Sequence, residues 1–158
     1  MLHLAGKAST RRRPVNSALG RTTRMAQHSS LPEGRDGQFE WFRTVVQQLR
    51  TTGVGAVTVA LRQDMGRFAE SNLPGHAFPH LESDEEFVEQ VLKLKDNDLV
   101  WNKALQTTLL RSYDFEAPTA RENSVRELNE FAATCPWALY AEIARFRAEH
   151  LTGPGELE

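Results

Sequence analysis

Residues 83–95 read Ser-Asp-Glu-Glu-Phe-Val-Glu-Gln-Val-Leu-Lys-Leu-Lys, and this stretch decides the fold class. Ser83 and Glu86 have the spacing of a capping box, in which each side chain takes the other's orphan amide. Asp84 and Glu85 fill the first turn, while Lys93 and Lys95 lie in the last, so both ends suit the helix dipole. Phe87, Val91, Leu92 and Leu94 supply the apolar side at helical spacing. The triplet Asp96-Asn97-Asp98 reads as a turn between this helix and a further one carrying Leu99, Trp101, Leu105 and Leu109.

The pattern extends in both directions. Upstream, Phe39, Phe42, Val46 and Leu49, with Val45 beside them, predict a helix with Asp36 as its N-cap and Gly53 at its stop. Val54, Val57, Leu61, Met65 and Phe68 predict a second helix, ended by Asn72, Pro74 and Gly75. Its β-branched opening, residues 55–61, also fits a short strand. Residues 76–82 are irregular and broken by Pro79. Downstream, Pro118 and Thr119 open a helix through Val125, Leu128 and Phe131, which Pro136 must interrupt. A last helix, with Pro136 at its first position, carries Leu139, Tyr140, Ile143, Phe146 and Leu151 and is stopped by Gly153 and Pro154. No internal repeat occurs. The expected fold is a compact all-α bundle of about five to six helices. It occupies residues 36–153, between an arm of residues 1–35 and a tail of residues 154–158.

Charge divides the chain sharply. Residues 1–32 hold Lys7, Arg11, Arg12, Arg13, Arg21 and Arg24 and no acid, a charge of +6; the rest holds 13 basic and 21 acidic residues, a charge of −8. With few large apolar residues, the arm cannot offset its ordering entropy and is expected to be disordered. It lacks the apolar core of a secretory signal, but its arginine- and hydroxyl-rich composition suits a transit peptide of residues 1–31. A nucleic-acid tether and a dispensable extension, with Met25 as an internal start, are the other readings. A −8 body is repelled by phosphate, so nucleic acid ranks low as a partner. No run of eighteen apolar residues suggests a membrane span. The single cysteine, Cys135, forms no internal disulfide and suits a reducing compartment. The expected location is cytoplasmic, or the mitochondrial matrix if the arm is a transit peptide.

Candidate chemistry is sparse. Cys135, in Thr134-Cys135-Pro136-Trp137, falls at the expected N-cap of the last helix, where amides and the dipole favour a thiolate. The sequence offers no base or orienting group for it, and cysteines more often fill space. His76 and His80 have a metal-pair spacing, which Pro79 between them deprives of its helical geometry. Arg62, Asp64 and Arg67 could hold an anionic substrate; Asp64 and Arg67 also have the spacing of an ordinary surface ion pair. Asp84, Glu85, Glu86 and Glu89 are explained by capping and a solvated face, and Asp96-Asn97-Asp98 lacks the glycine and final glutamate of a calcium loop. Trp41, Trp101, Trp137 and Tyr140, with Arg111, are the candidates for an aromatic ligand pocket, although aromatics at helical spacing usually form core. Phosphate loops, nucleophile elbows and metalloprotease histidine pairs are absent.

The leading expectation is a non-enzymatic interaction protein, an accessory subunit, adaptor or inhibitor. Its acidic surface would meet a partner with a basic patch, and it would need no cofactor. The alternatives are a small helical enzyme or ligand-binding protein with an aromatic and arginine-lined pocket, and a nucleic-acid-associated protein using the arm.

Overall fold

The computed structural model describes residues 30–113 and 118–153. The expected disorder of the arm and the tail 154–158 falls outside them, apart from the arm's last residues. Among the described residues there are five α-helices and no strand. They are α1 (Arg35–Thr52), α2 (Val59–Asn72), α3 (Asp84–Arg111), α4 (Pro118–Thr134) and α5 (Ala138–Thr152), with one 3-10 turn, Gly53–Ala56, between the first two.

Helix α1 buries Phe39, Trp41, Phe42, Val45, Val46 and Leu49, the face that its spacing dictates. Asp36 is not its N-cap. Gly34 takes that place, and Asp36 lies in the first turn, where its charge still suits the dipole. Gly53 ends the helix at φ 62, and its amide donates to Leu49 O. That left-handed conformation is one only glycine adopts without strain. The segment after it corrects the sequence reading twice. Residues 55–61 form no strand, and the second helix begins at Val59 rather than Val54. Thr58 decides this: it is extended, and its Oγ1 accepts the Leu61 amide at 3.1 Å as an N-cap. Val54 and Val59 consequently stay exposed.

The capping box at Ser83 is present: Ser83 Oγ accepts from Glu86 N at 3.1 Å, and Glu86 Oε2 accepts from Ser83 N at 3.4 Å. The helix it opens does not stop at Lys95. It runs unbroken for 28 residues, about 42 Å at 1.5 Å per residue. Asp96-Asn97-Asp98 is therefore mid-helix, not a turn. Aspartate and asparagine are poor helix formers by only tenths of a kcal/mol, and the tertiary bonds described below outweigh that.

Pro118 opens α4 as expected, and the helix buries Leu128 and Phe131. The next helix begins at Ala138, two residues later than expected, with Trp137 as its N-cap; Pro136 stays in the link. The buried side of α5 is also not the expected one. Tyr140, Ala141, Ala144, Ala148 and Leu151 face inward, while Ile143 is 37% and Phe146 63% exposed.

One aromatic cluster forms the centre. Phe42 stacks on Phe68 with centroids 4.7 Å apart, and Trp137 lies within 5.8 to 6.4 Å of Phe39, Phe42, Phe68 and Tyr140. Trp137, Phe42 and Phe68 are each 0% exposed. Rings at these separations gain both from burial and from tilted or offset contact.

Candidate functional site

Two places warrant a functional reading: a buried polar junction at the middle of α3, and the outer face of α5. The junction is built from the triplet misread as a turn. Asp98, 3% exposed, accepts from Tyr140 Oη at 2.5 Å and from Lys95 Nζ at 2.5 Å. Asn97 Oδ1 accepts from Trp137 Nε1 at 2.9 Å. Lys95 also stands 6.0 Å from the ring centroid of Phe42. One short segment of α3 thus holds both α1 and the start of α5. Burial pushes the Tyr140 hydroxyl far above its ordinary value, and the Asp98 carboxylate it donates to adds to the rise. A phenol held neutral in this way is a hydrogen-bond donor, not a base. The arrangement locks helix register.

The other polar contacts fix chain segments. Arg62 donates to Leu81 O and Ser83 O at 2.9 Å each and pairs with Asp84 at 2.6 Å, which clamps the segment entering α3 onto α2. Asp64 is 6% exposed, pairs with Arg67 and accepts the Leu31 amide at 3.2 Å, so it is not a mere surface ion-pair member. Asn72 donates to Gln38 Oε1 at 2.8 Å, and Gln38 donates to Pro32 O at 3.1 Å. Arg147 donates to Ser112 Oγ and Ser112 O at 3.1 Å each and stacks over Tyr113 at 4.1 Å, tying the end of α3 to α5.

The remaining sequence candidates are not brought together. Cys135 is not the N-cap of α5: its amide bonds Phe131 O at 2.9 Å, which makes it the end of α4. Burial pushes its thiol up, against a weaker opposing effect of the Trp137 backbone, so the expected thiolate is not favoured. His76 and His80 are exposed on the segment between α2 and α3, and His76 Nδ1 lies 3.3 Å from Pro74 O. Among the described residues no group of three or more His, Cys, Asp or Glu is placed to hold a metal ion. Arg111 is exposed, 3.9 Å from Glu127. Trp101 packs edge-on against Phe131 with centroids 5.6 Å apart, separate from the central cluster that holds Trp41, Trp137 and Tyr140. A shallow open groove at the start of α4 and end of α5 is lined by Val125 and Leu151, and Arg121 there donates to Leu151 O and Gly153 O. That arginine caps α5 by satisfying its last carbonyls.

The outer face of α5 is different in kind. Leu139, Ile143, Phe146 and His150 recur at i, i+4, i+7 and i+11, one helical stripe. Leu139 is half-buried, Ile143 and Phe146 are exposed, and the His150 ring lies against Phe146 with centroids 4.1 Å apart. Glu142, Arg145 and Glu149, all exposed at i, i+3 and i+7, form an edge of mixed charge beside it, and Glu142 pairs with Arg35. Among the described residues no helix is long and apolar enough to cross a membrane. Compared with family models, with curated proteins and with solved structures, the chain matches none.

Proposed function

We propose that this chain is a non-enzymatic helical interaction protein, an accessory subunit, adaptor or inhibitor, that meets a partner with a basic patch. The observation that carries the reading is the α5 outer stripe, Leu139, Ile143 and Phe146, with Glu142 and Glu149 along its edge. Apolar side chains in line at the surface suit a contact better than solvent, and the −8 charge of residues 33–158 favours a basic partner. The polar candidates support it by default: Arg62, Asp64 and Asp98 are each occupied in fixing the fold. Trp41, Trp137 and Tyr140 fill the centre ring against ring rather than lining a space.

A photo-crosslinking residue in place of Phe146, used in the native host, tests the reading. The expected product is a crosslink, mapped by mass spectrometry, to a lysine- or arginine-rich surface of another protein. Repeated recovery of the uncrosslinked chain alone would overturn it.

A further inference from the structure

We propose that the outer face of α3 pairs with the same face of a second copy of this chain, antiparallel, about a two-fold axis between Leu99 and Val100. The proposal concerns a different helix from the α5 stripe and does not depend on that reading.

Spacing defines the face. Glu89, Leu92, Asp96, Leu99, Lys103 and Gln106 follow one another along α3 at alternating steps of three and four, and Leu110 continues the row. Such a repeat keeps one side of a helix against a partner helix. All of these residues are exposed except Leu92, which is partly buried, because α3 packs into the domain through Phe87, Val91, Asp98 and Leu105 on its other side. At the middle of the row Leu99 is 50% exposed and its neighbour Val100 65%, an adjoining apolar pair facing solvent.

Charge names the occupant. From Asp84 to Leu92 the helix carries four acids and no base; from Leu99 to Arg111 it carries two bases and no acid. A helix polarised in this way is complementary to its own copy only when the copy is reversed, since a parallel pair sets acid against acid. An axis between Leu99 and Val100 lies midway between Asp96 and Lys103, so each Asp96 meets Lys103 of the second copy, and the contact occurs twice, as two-fold symmetry requires. The same axis carries Glu89 to within a residue of Arg111. Those two already have partners in their own chain, Lys93 at 2.7 Å and Glu127 at 3.9 Å. Asp96 and Lys103 have no ion-pair partner among the described residues. A single helix pair, about 36 Å long and about 10 Å wide, falls short of the roughly 800 Å² per partner of a stable interface, so the dimer is weak and depends on concentration.

Sedimentation equilibrium of the full chain at low salt, from about 10 µM to about 1 mM, tests this. The chain should pass from monomer towards dimer across that range. Asp96→Lys and Lys103→Glu should each weaken the dimer about tenfold or more, because each turns two exposed attractions into repulsions. An equimolar mixture of the two variants should restore it, since every contact across the axis again joins opposite charges. Restoration needs two folded chains, so it also excludes misfolding as the cause of the loss. Should either reversal lower the melting temperature, Asp96→Asn and Lys103→Gln take their place, each expected to weaken the dimer severalfold. A chain that stays monomeric to about 1 mM overturns the proposal. So does a dimer indifferent to both reversals, which is the behaviour of a parallel pair or of another face, and so does a mixture of the reversed variants that stays monomeric.

Discussion

The inner and outer faces of α5 differ in an unexpected direction. Inward, the helix presents Ala141, Ala144 and Ala148 between Tyr140 and Leu151; outward, it presents Ile143 and Phe146, with Leu139 packed partly against the core. Small residues inside let the backbones of α4 and α5 approach closely, and these two make the most extensive helix pair among the described residues. The larger apolar residues, which a core would ordinarily claim, are left at the surface. A helix arranged this way uses one face to fold, and the other is the surface proposed for contact.

The inward face should break hardest at its polar point. Asp98→Ala removes the acceptor of both Lys95 and Tyr140 and strands a lysine whose side chain is 15% exposed. Breaking one side of a buried pair costs about 3–5 kcal/mol, and denaturant unfolding should show a loss of that size. Next in size, Ala144→Leu forces a larger side chain into a position that is 0% exposed and should cost about 1–3 kcal/mol. The same leucine at the outer position of Ile143 should leave the melting temperature nearly unchanged.

These substitutions mark what the sequence made legible. Fold class was readable because capping chemistry is local: Ser83 with Glu86 and Gly53 after Leu49 announce helix ends within one turn. Where the outcome depended on distant partners, the reading failed. Asp96-Asn97-Asp98 looked like a turn because local propensity says so, while the bonds that keep it helical come from Trp137 and Tyr140, about forty positions away. Periodicity also assigned α5 its stripe by size, and alanine carries little weight in such a pattern. Of the candidate residues, Arg62, Asp64 and Tyr140 proved to be held in specific contacts, but in structural ones. Gln38 and Arg147 gave no signal, and Lys95 and Asn72 gave only helix-end signals, since a lone polar residue acquires its tertiary meaning only from its partner across the fold.

Alkaline titration sharpens the inward side more gently. The folded Tyr140 hydroxyl is held above its ordinary value of about 10, so the unfolded chain releases that proton first. The bond's contribution is therefore full below about pH 10 and is lost as pH rises beyond it. Melting temperatures should fall through that window. Tyr140→Phe should flatten the fall while lowering stability at neutral pH, because Asp98 then lacks one donor.

The smallest effect on stability is expected where the effect on binding is greatest. Phe146 is 63% exposed, and its contact with His150 lies within the surface of the same helix. Phe146→Ser therefore removes little that folding uses, and surface changes of this kind stay within about 0.5 kcal/mol. If the outer face exists for contact, the same change should abolish a crosslink from a photoreactive residue at Ile143. A large fall in melting temperature would place Phe146 among the folding residues instead. Unchanged stability with unchanged crosslinking would mean that the stripe is exposed but unused. Only a loss of contact at constant stability separates the two faces of α5 by purpose as well as by burial.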